Sequence, residues 1–288
     1  MWRLVNNMIT NKPKTFQLTD NWQNQQQKPI ATEQSNLTPE QGMEIKFEIL
    51  RFGPILTRFN VPQNIIKQFI DLGNAKRYPE NEFNHQLAGH LENEYYLGDE
   101  GFNLFFNYLK PYFCAHLHQQ FQQVDLPFHV DAVGVSKLWI NYMKKGEYNP
   151  PHIHKALYSF VLYLDIPENL FKNEKVNHRA TSALPGSITF IHGEEQPFIK
   201  TTQNYKPKSG DLFIFPANLR HFVAPFKNTE GERVSVSGNV DLSFNYDKPY
   251  IPKENNSNYH RDGNEIVEVK PDYFINLPWE NIHKGEKA

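Results

Sequence analysis

Three observations predict an α+β fold. Apolar residues between 62 and 123 recur every three or four positions, and those after Pro127 alternate with period two. Gly and Pro then cut the second half into short segments, so helices come first and strands follow.

Residues 1–43 read as a polar, partly disordered arm. From 11 to 42 the chain is poor in aliphatics and rich in Asn, Gln, Lys and Thr, with the run Gln25-Gln26-Gln27. Such a stretch buries too little apolar surface to offset its ordering entropy. A domain over 44–245 is expected to open with Ile45, Phe47 and Ile49, which alternate like a strand. Pro62, then Ile65, Ile66, Phe69, Ile70 and Leu72, gives helical spacing with Pro in the first turn. A second helical stretch over about 101–123 carries Phe102, Phe105, Phe106, Leu109, Phe113, Leu117 and Phe121 on one stripe. Pro111 should kink or split it. The helices thus occupy 62–123 and a barrel occupies 130–242.

Strands are expected at 133–143, 157–166, 187–192, 211–215, 221–225 and 233–242. Turn residues separate them, among them Lys144-Lys145-Gly146, Pro185-Gly186 and Ser209-Gly210. Residues 246–288 form a C-terminal extension whose Tyr273-Phe274-Ile275 and Trp279 can dock back on the body.

Composition narrows the function. Thirty basic residues against thirty-two acidic ones leave no nucleic-acid footprint or polybasic anchor, so neither nucleic acid nor membrane is an expected partner. No apolar run approaches a bilayer span, and MWRLVNNMIT lacks the parts of a signal peptide. The single cysteine, Cys114, fits a reducing compartment, so a cytoplasmic protein is expected. Aromatic residues make up 14% of the chain, which suits a β-rich core.

The chemistry lies in His152-Ile153-His154, the distant His221, and Arg233-Val234-Ser235. Residues i and i+2 of a strand share a face, and Pro150-Pro151 favours extended backbone before the pair. A third imidazole from another strand completes one triangular face of a metal ion and leaves the opposite face open. With 12 His, a chance His-x-His arises in roughly every second chain of this size, so the pair alone is weak. His116-Leu117-His118 is such a decoy, because i and i+2 diverge on a helix. The surroundings distinguish His152 and His154. Gly146 precedes them, and Gly210-Asp211-Leu212-Phe213-Ile214-Phe215-Pro216 leads into His221 at a spacing typical of a double-stranded β-helix, or jelly roll. Arg233, Ser235 and Ser237 alternate on one strand face, and a buried Arg needs an anion, which its planar fork meets bidentately as a carboxylate. A structural salt bridge is the competing reading of Arg233.

On these motifs residues 130–240 resemble the Fe(II)- and 2-oxoglutarate-dependent oxygenases, in particular the prolyl-hydroxylase-like branch and its members from phages and bacteria. That resemblance implies a double-stranded β-helix core with supporting N-terminal helices, with Fe(II), 2-oxoglutarate and O2 as cofactors. It implies His152, His154 and His221 as metal ligands and Arg233 with Ser235 as the 2-oxoglutarate clamp. Tyr142 and Tyr163 match tyrosines that hydrogen-bond the cosubstrate in similar enzymes. The implied reaction hydroxylates an unactivated C–H bond of a small molecule or a protein side chain, a prolyl residue being one analogy, and releases succinate and CO2.

One departure stands out, since position 154 carries His where the family has a carboxylate. Either His154 ligates, or another group such as Asp165 fills the place, or iron chemistry has been lost. A cupin-type three-His dioxygenase acting without 2-oxoglutarate is the alternative, although Lys155-Ala156-Leu157-Tyr158-Ser159 lacks the Glu of the cupin motif. A non-catalytic barrel that binds a partner is the third reading.

Overall fold

The computed structural model describes residues 53–121, 129–177, 184–245, 260–261, 264–265 and 273–282. The chain divides after Gly53, and the described residues beyond it belong to the unit 54–288. The expected arm and the strand expected at 45–49 lie outside the described residues.

After strand β1 (Thr57–Asn60), helix α1 (Gln63–Lys76) starts behind Pro62, whose φ of −61° suits a helix entrance. Its inner face buries Ile66 and Phe69 and brings Gly73 onto the sheet. A Cβ on Gly73 would collide with Ile140 and lie 2.7 Å from the Tyr142 hydroxyl, so only glycine permits this approach. Short strand β2 (Glu94–Tyr96) precedes helix α2 (Gly98–Leu104), a π-helical turn over Phe105–Leu109, and helix α3 (Lys110–Phe121). Pro111 has no N–H for the carbonyl of Asn107, and its ring crowds that carbonyl. The helix widens just ahead of it instead of breaking.

Two sheets follow. The larger holds β1, β8 (Asp211–Pro216), β5 (Tyr158–Asp165), β10 (Arg233–Asn245), β3 (His129–Met143) and β13 (Trp279–Asn281) in that order, with β2 also paired to β3. All its pairings are antiparallel except β13 on β3. The smaller holds β4 (Asn149–His152), β9 (Arg220–Val223), β6 (Ile188–Ile191) and β7 (Thr202–Tyr205). A short helix, α4 (Leu170–Asn177), links β5 to the second sheet, and β11 (His260–Arg261) pairs β12 (Asn264–Glu265) apart from both. The last helix, α5 (Tyr273–Asn276), fully buries Phe274 among residues of the helical side.

Strand alternation divides the core in two. Leu162 and Leu164 of β5, Val234 and Val236 of β10, and Ile140 and Tyr142 of β3 pack with α1, α2 and α3. Val161 and Tyr163 of β5 and Met143 of β3 pack instead with Ile188, Phe190 and Val223 of the smaller sheet. The functional side chains stand on this second side. Among the described residues no helix is long and apolar enough to cross a membrane.

Candidate metal and cosubstrate site

His152 and His221 are direct cross-strand partners on β4 and β9, with ring centroids 4.3 Å apart. His154 lies just beyond the end of β4, not within it. Its backbone N–H donates to the carbonyl of Ala217 at 2.9 Å, which pins the loop beside the turn leading into β9. The three ligand atoms all lie within 4.8 Å of one another, and the Nε2 atoms of His154 and His221 are 3.3 Å apart. Two nitrogens at right angles around an ion, each ~2.1 Å from it, would be about 3.0 Å apart.

Protonation suits the same purpose. Nδ1 of His152 lies 2.7 Å from the Pro150 carbonyl, and Nδ1 of His221 lies 2.9 Å from that of Leu219. A carbonyl only accepts, so both Nδ1 atoms carry the proton and both Nε2 lone pairs are free. Burial pushes all three rings away from the charged form, His154 down to about 4 and His221 to about 3, with neighbouring imidazoles adding to the effect for those two. Three neutral imidazoles with converging lone pairs fit a divalent transition metal. Phe215 stands edge-on to His221 at 4.8 Å and Trp139 lies 5.9 Å from His154, so aromatic rings back the ligands.

Arg233 is the second half of the site. It is 2% exposed and donates from Nη2 to the Tyr163 hydroxyl at 2.7 Å, while its Nε has no partner. No carboxylate pairs with it among the described residues, so the salt-bridge reading fails. Burial works against its charge and Tyr163 supports it. A buried guanidinium in that state calls for an anion. Ser235, two residues on and 3% exposed, accepts from Asn141 Nδ2 at 3.4 Å. The three imidazoles, Tyr163, Arg233 and Ser235 all line one cleft.

Residues 137–239 match the family model described as "Putative 2OG-Fe(II) oxygenase", a span holding every one of these residues. The match spans about a third of the chain, and over that span the sequence is similar to the oxygenase family. The family that this model describes implies Fe(II), 2-oxoglutarate and O2 as cofactors. No curated protein sequence matches the chain. Among solved structures, it is similar to an oxidoreductase of the 2OG-Fe(II) oxygenase family from Burkholderia pseudomallei. That match has 12% identity over 61% of this chain and 77% of the other, with a TM-score of 0.38. A prolyl-4-hydroxylase from Pseudomonas putida matches at 13% identity over 64% and 90% of the two chains, TM-score 0.39. A prolyl hydroxylase from Trichoplax adhaerens, in complex with a peptide fragment of a hypoxia inducible factor, matches at 13% over 65% and 82%, TM-score 0.39.

Tyr142 sits elsewhere than expected. Even-numbered residues at this end of β3 face the helices, so its hydroxyl lies 3.4 Å from Asn74 Oδ1 and the Arg77 guanidinium covers its ring at 4.2 Å. It does not line the cleft. The neighbouring odd positions, Trp139 and Asn141, do. Asp165, the substitute ligand considered from sequence, is exposed at the end of β5 and outside the imidazole cluster. His116 and His118 are buried in α3, with His116 Nδ1 2.7 Å from the Thr57 hydroxyl, and neither joins the cluster. Sequence reasoning missed Glu94, which lines the cleft from β2 and is 1% exposed. A lone Glu in a three-residue strand carries no pattern by which to find it.

Proposed function

We propose that this oxygenase hydroxylates an unactivated C–H bond of a small molecule or protein side chain, with His152, His154 and His221 holding Fe(II) and Arg233 holding 2-oxoglutarate. A protein prolyl residue is one target this reading admits. The observation that carries it is a buried guanidinium with no carboxylate partner among the described residues, lining the same cleft as three neutral imidazoles.

Within this reading each side chain has a task. The carbonyls of Pro150 and Leu219 hold His152 and His221 in the tautomer that leaves Nε2 free. Arg233 pairs with the C5 carboxylate of 2-oxoglutarate, and the hydroxyls of Tyr163 and Ser235 add hydrogen bonds beside it. Asn141 orients Ser235. Trp139, Phe160 and Phe215 keep water from the reacting end of the cleft. When bound, iron with O2 and 2-oxoglutarate supplies the oxidising power, with succinate and CO2 as coproducts. His154 makes the ligand set neutral, so the iron keeps one more unit of positive charge than with a carboxylate in that place.

The test is an anaerobic titration with Fe(II) and then 2-oxoglutarate, following the visible charge-transfer band of the chelate. A band lost in both His152→Ala and Arg233→Ala supports the reading. Metal bound without a band points to a three-His dioxygenase that does not use 2-oxoglutarate. No metal bound at all leaves a non-catalytic barrel.

A further inference from the structure

Part of the cleft carries polar atoms that the roles above leave unused. Glu94 on β2 stands directly opposite Asn141 on β3, a pairing that puts Cβ atoms about 4.5–5.5 Å apart. Glu94 is 1% exposed and Asn141 6%. Glu94 Oε2 and Asn141 Oδ1 are both buried without a hydrogen-bond partner. A third oxygen is close, because a Cβ on Gly89 would collide with Asn149 Oδ1 and lie 3.2 Å from Glu94 Oε1. Gly89, Glu94, Asn141 and Asn149 all line the cleft. No Lys or Arg pairs with Glu94 among the described residues, and the charge that bears on it is the like charge of Glu147. The wall is rich in acceptors and has no cation of its own. Such a surface stays costly to bury until a donor-rich cation fills it.

We propose that Glu94, with Asn141 and Asn149 beside it, is the subsite that recognises the primary substrate, and that it takes a protonated primary amine. The subsite rests on the oxygenase reading, because it assumes that 2-oxoglutarate occupies Arg233. An ammonium entering the same cleft as a bare guanidinium is repelled, whereas the C5 carboxylate of 2-oxoglutarate removes that repulsion. The amine therefore binds after 2-oxoglutarate.

The test uses the full chain loaded with Zn(II) in place of Fe(II), above about pH 8 where Glu94 has released its proton, so that binding to the carboxylate is read by calorimetry without turnover. The probe is n-butylammonium and the comparator n-butanol, each with and without 2-oxoglutarate. With 2-oxoglutarate present, the ammonium should bind at least about ten-fold tighter than the alcohol, the worth of a charge-assisted pair. Without it the preference should shrink. Glu94→Gln should erase the preference while 2-oxoglutarate affinity stays within about two-fold. Gly89→Ala, in the loop before β2, gives a second reading by crowding Glu94 and Asn149 and should weaken ammonium binding likewise. The subsite is overturned if the parent shows no preference, or if the preference survives both substitutions while 2-oxoglutarate still binds. If 2-oxoglutarate fails to bind the parent, the oxygenase reading itself falls and the subsite with it.

Discussion

Arg233 and Tyr163 hold each other in two ways at once. The guanidinium donates to the Tyr163 hydroxyl at 2.7 Å and lies 4.6 Å from the centre of the same ring. They occupy neighbouring strands, where Ser235 of β10 pairs with Tyr163 of β5. The tyrosine therefore keeps a buried cation in place before any carboxylate arrives. Tyr163→Phe keeps the ring and removes the hydroxyl. It should lower the stability of the metal-free protein by about 1.5–3 kcal/mol, the usual value for a hydrogen bond to a charged group. Urea denaturation monitored by fluorescence checks this. A loss under about 0.5 kcal/mol would mean the hydroxyl does not hold the guanidinium.

The clamp itself is tested by the contrast between two substitutions. Arg233→Ala should weaken 2-oxoglutarate binding by at least about ten-fold, through the lost bidentate pair. Arg233→Lys should recover little of it, because an ammonium is a point charge on a flexible stem and cannot reproduce the planar fork held by Tyr163. Calorimetric titration of the Zn(II)-loaded proteins separates the two. Full rescue by Lys would mean that charge alone, not fork geometry, binds the cosubstrate.

Tyr142→Phe addresses the residue that the strand turns away from the cleft. Its hydroxyl meets Asn74, and Arg77, paired to Glu232 at 2.6 Å, covers its ring. Removing the hydroxyl should change 2-oxoglutarate affinity by less than about two-fold and cost at most about 1 kcal/mol of stability. A ten-fold loss of affinity would restore the role that the family resemblance implied.

This case shows where legibility ends. Arg233-x-Ser235 was readable because period two places both residues on one face, and β10 keeps that period through Ser237. The family resemblance implied Tyr142, but a matched position does not say which face of β3 an even residue takes. That depends on α1 covering Ile140 and Tyr142 through Gly73. From sequence, the imidazoles form a strand pair plus a distant partner. In the structure His152 and His221 are the strand neighbours, and His154 arrives from a loop tied to Ala217. Strands β1 and β2, four and three residues long, are too short for any periodicity to reveal. Glu94 and Asn141 are brought together only by a pairing across 47 positions of sequence.

The loop at His154 makes the three-imidazole arrangement specific. Its N–H is fixed to Ala217, and from that anchor the ring reaches to 3.3 Å from His221 Nε2. An aspartate there is shorter by about one bond length or more and falls short of the same point. His154→Asp should therefore lower Fe(II) affinity by at least about ten-fold despite its favourable charge, as should His154→Ala. Competition with a fluorescent chelator under anaerobic conditions measures both. Equal or tighter binding by His154→Asp would mean the loop can move to serve a carboxylate.

Glu94 gives a pH signature that needs neither metal nor substrate. Burial, reinforced by the charge of Glu147, pushes its carboxyl from an ordinary 4.5 up to about 8. Between those values the folded protein keeps a proton that the unfolded chain has released. The stability tied to that proton is fully present below about pH 4.5 and is lost as pH rises through about 8. Within the window one proton corresponds to about 1.4 kcal/mol of stability lost per pH unit. Glu94→Gln has no proton to lose and should lack this slope. Denaturation of the metal-free parent and variant at several pH values across the window isolates the difference from all other titrations. The parent should lose ground to the variant steadily as pH rises. A difference that does not change with pH would place Glu94 in contact with water or a cation, and would remove the unsatisfied acceptor on which amine recognition depends.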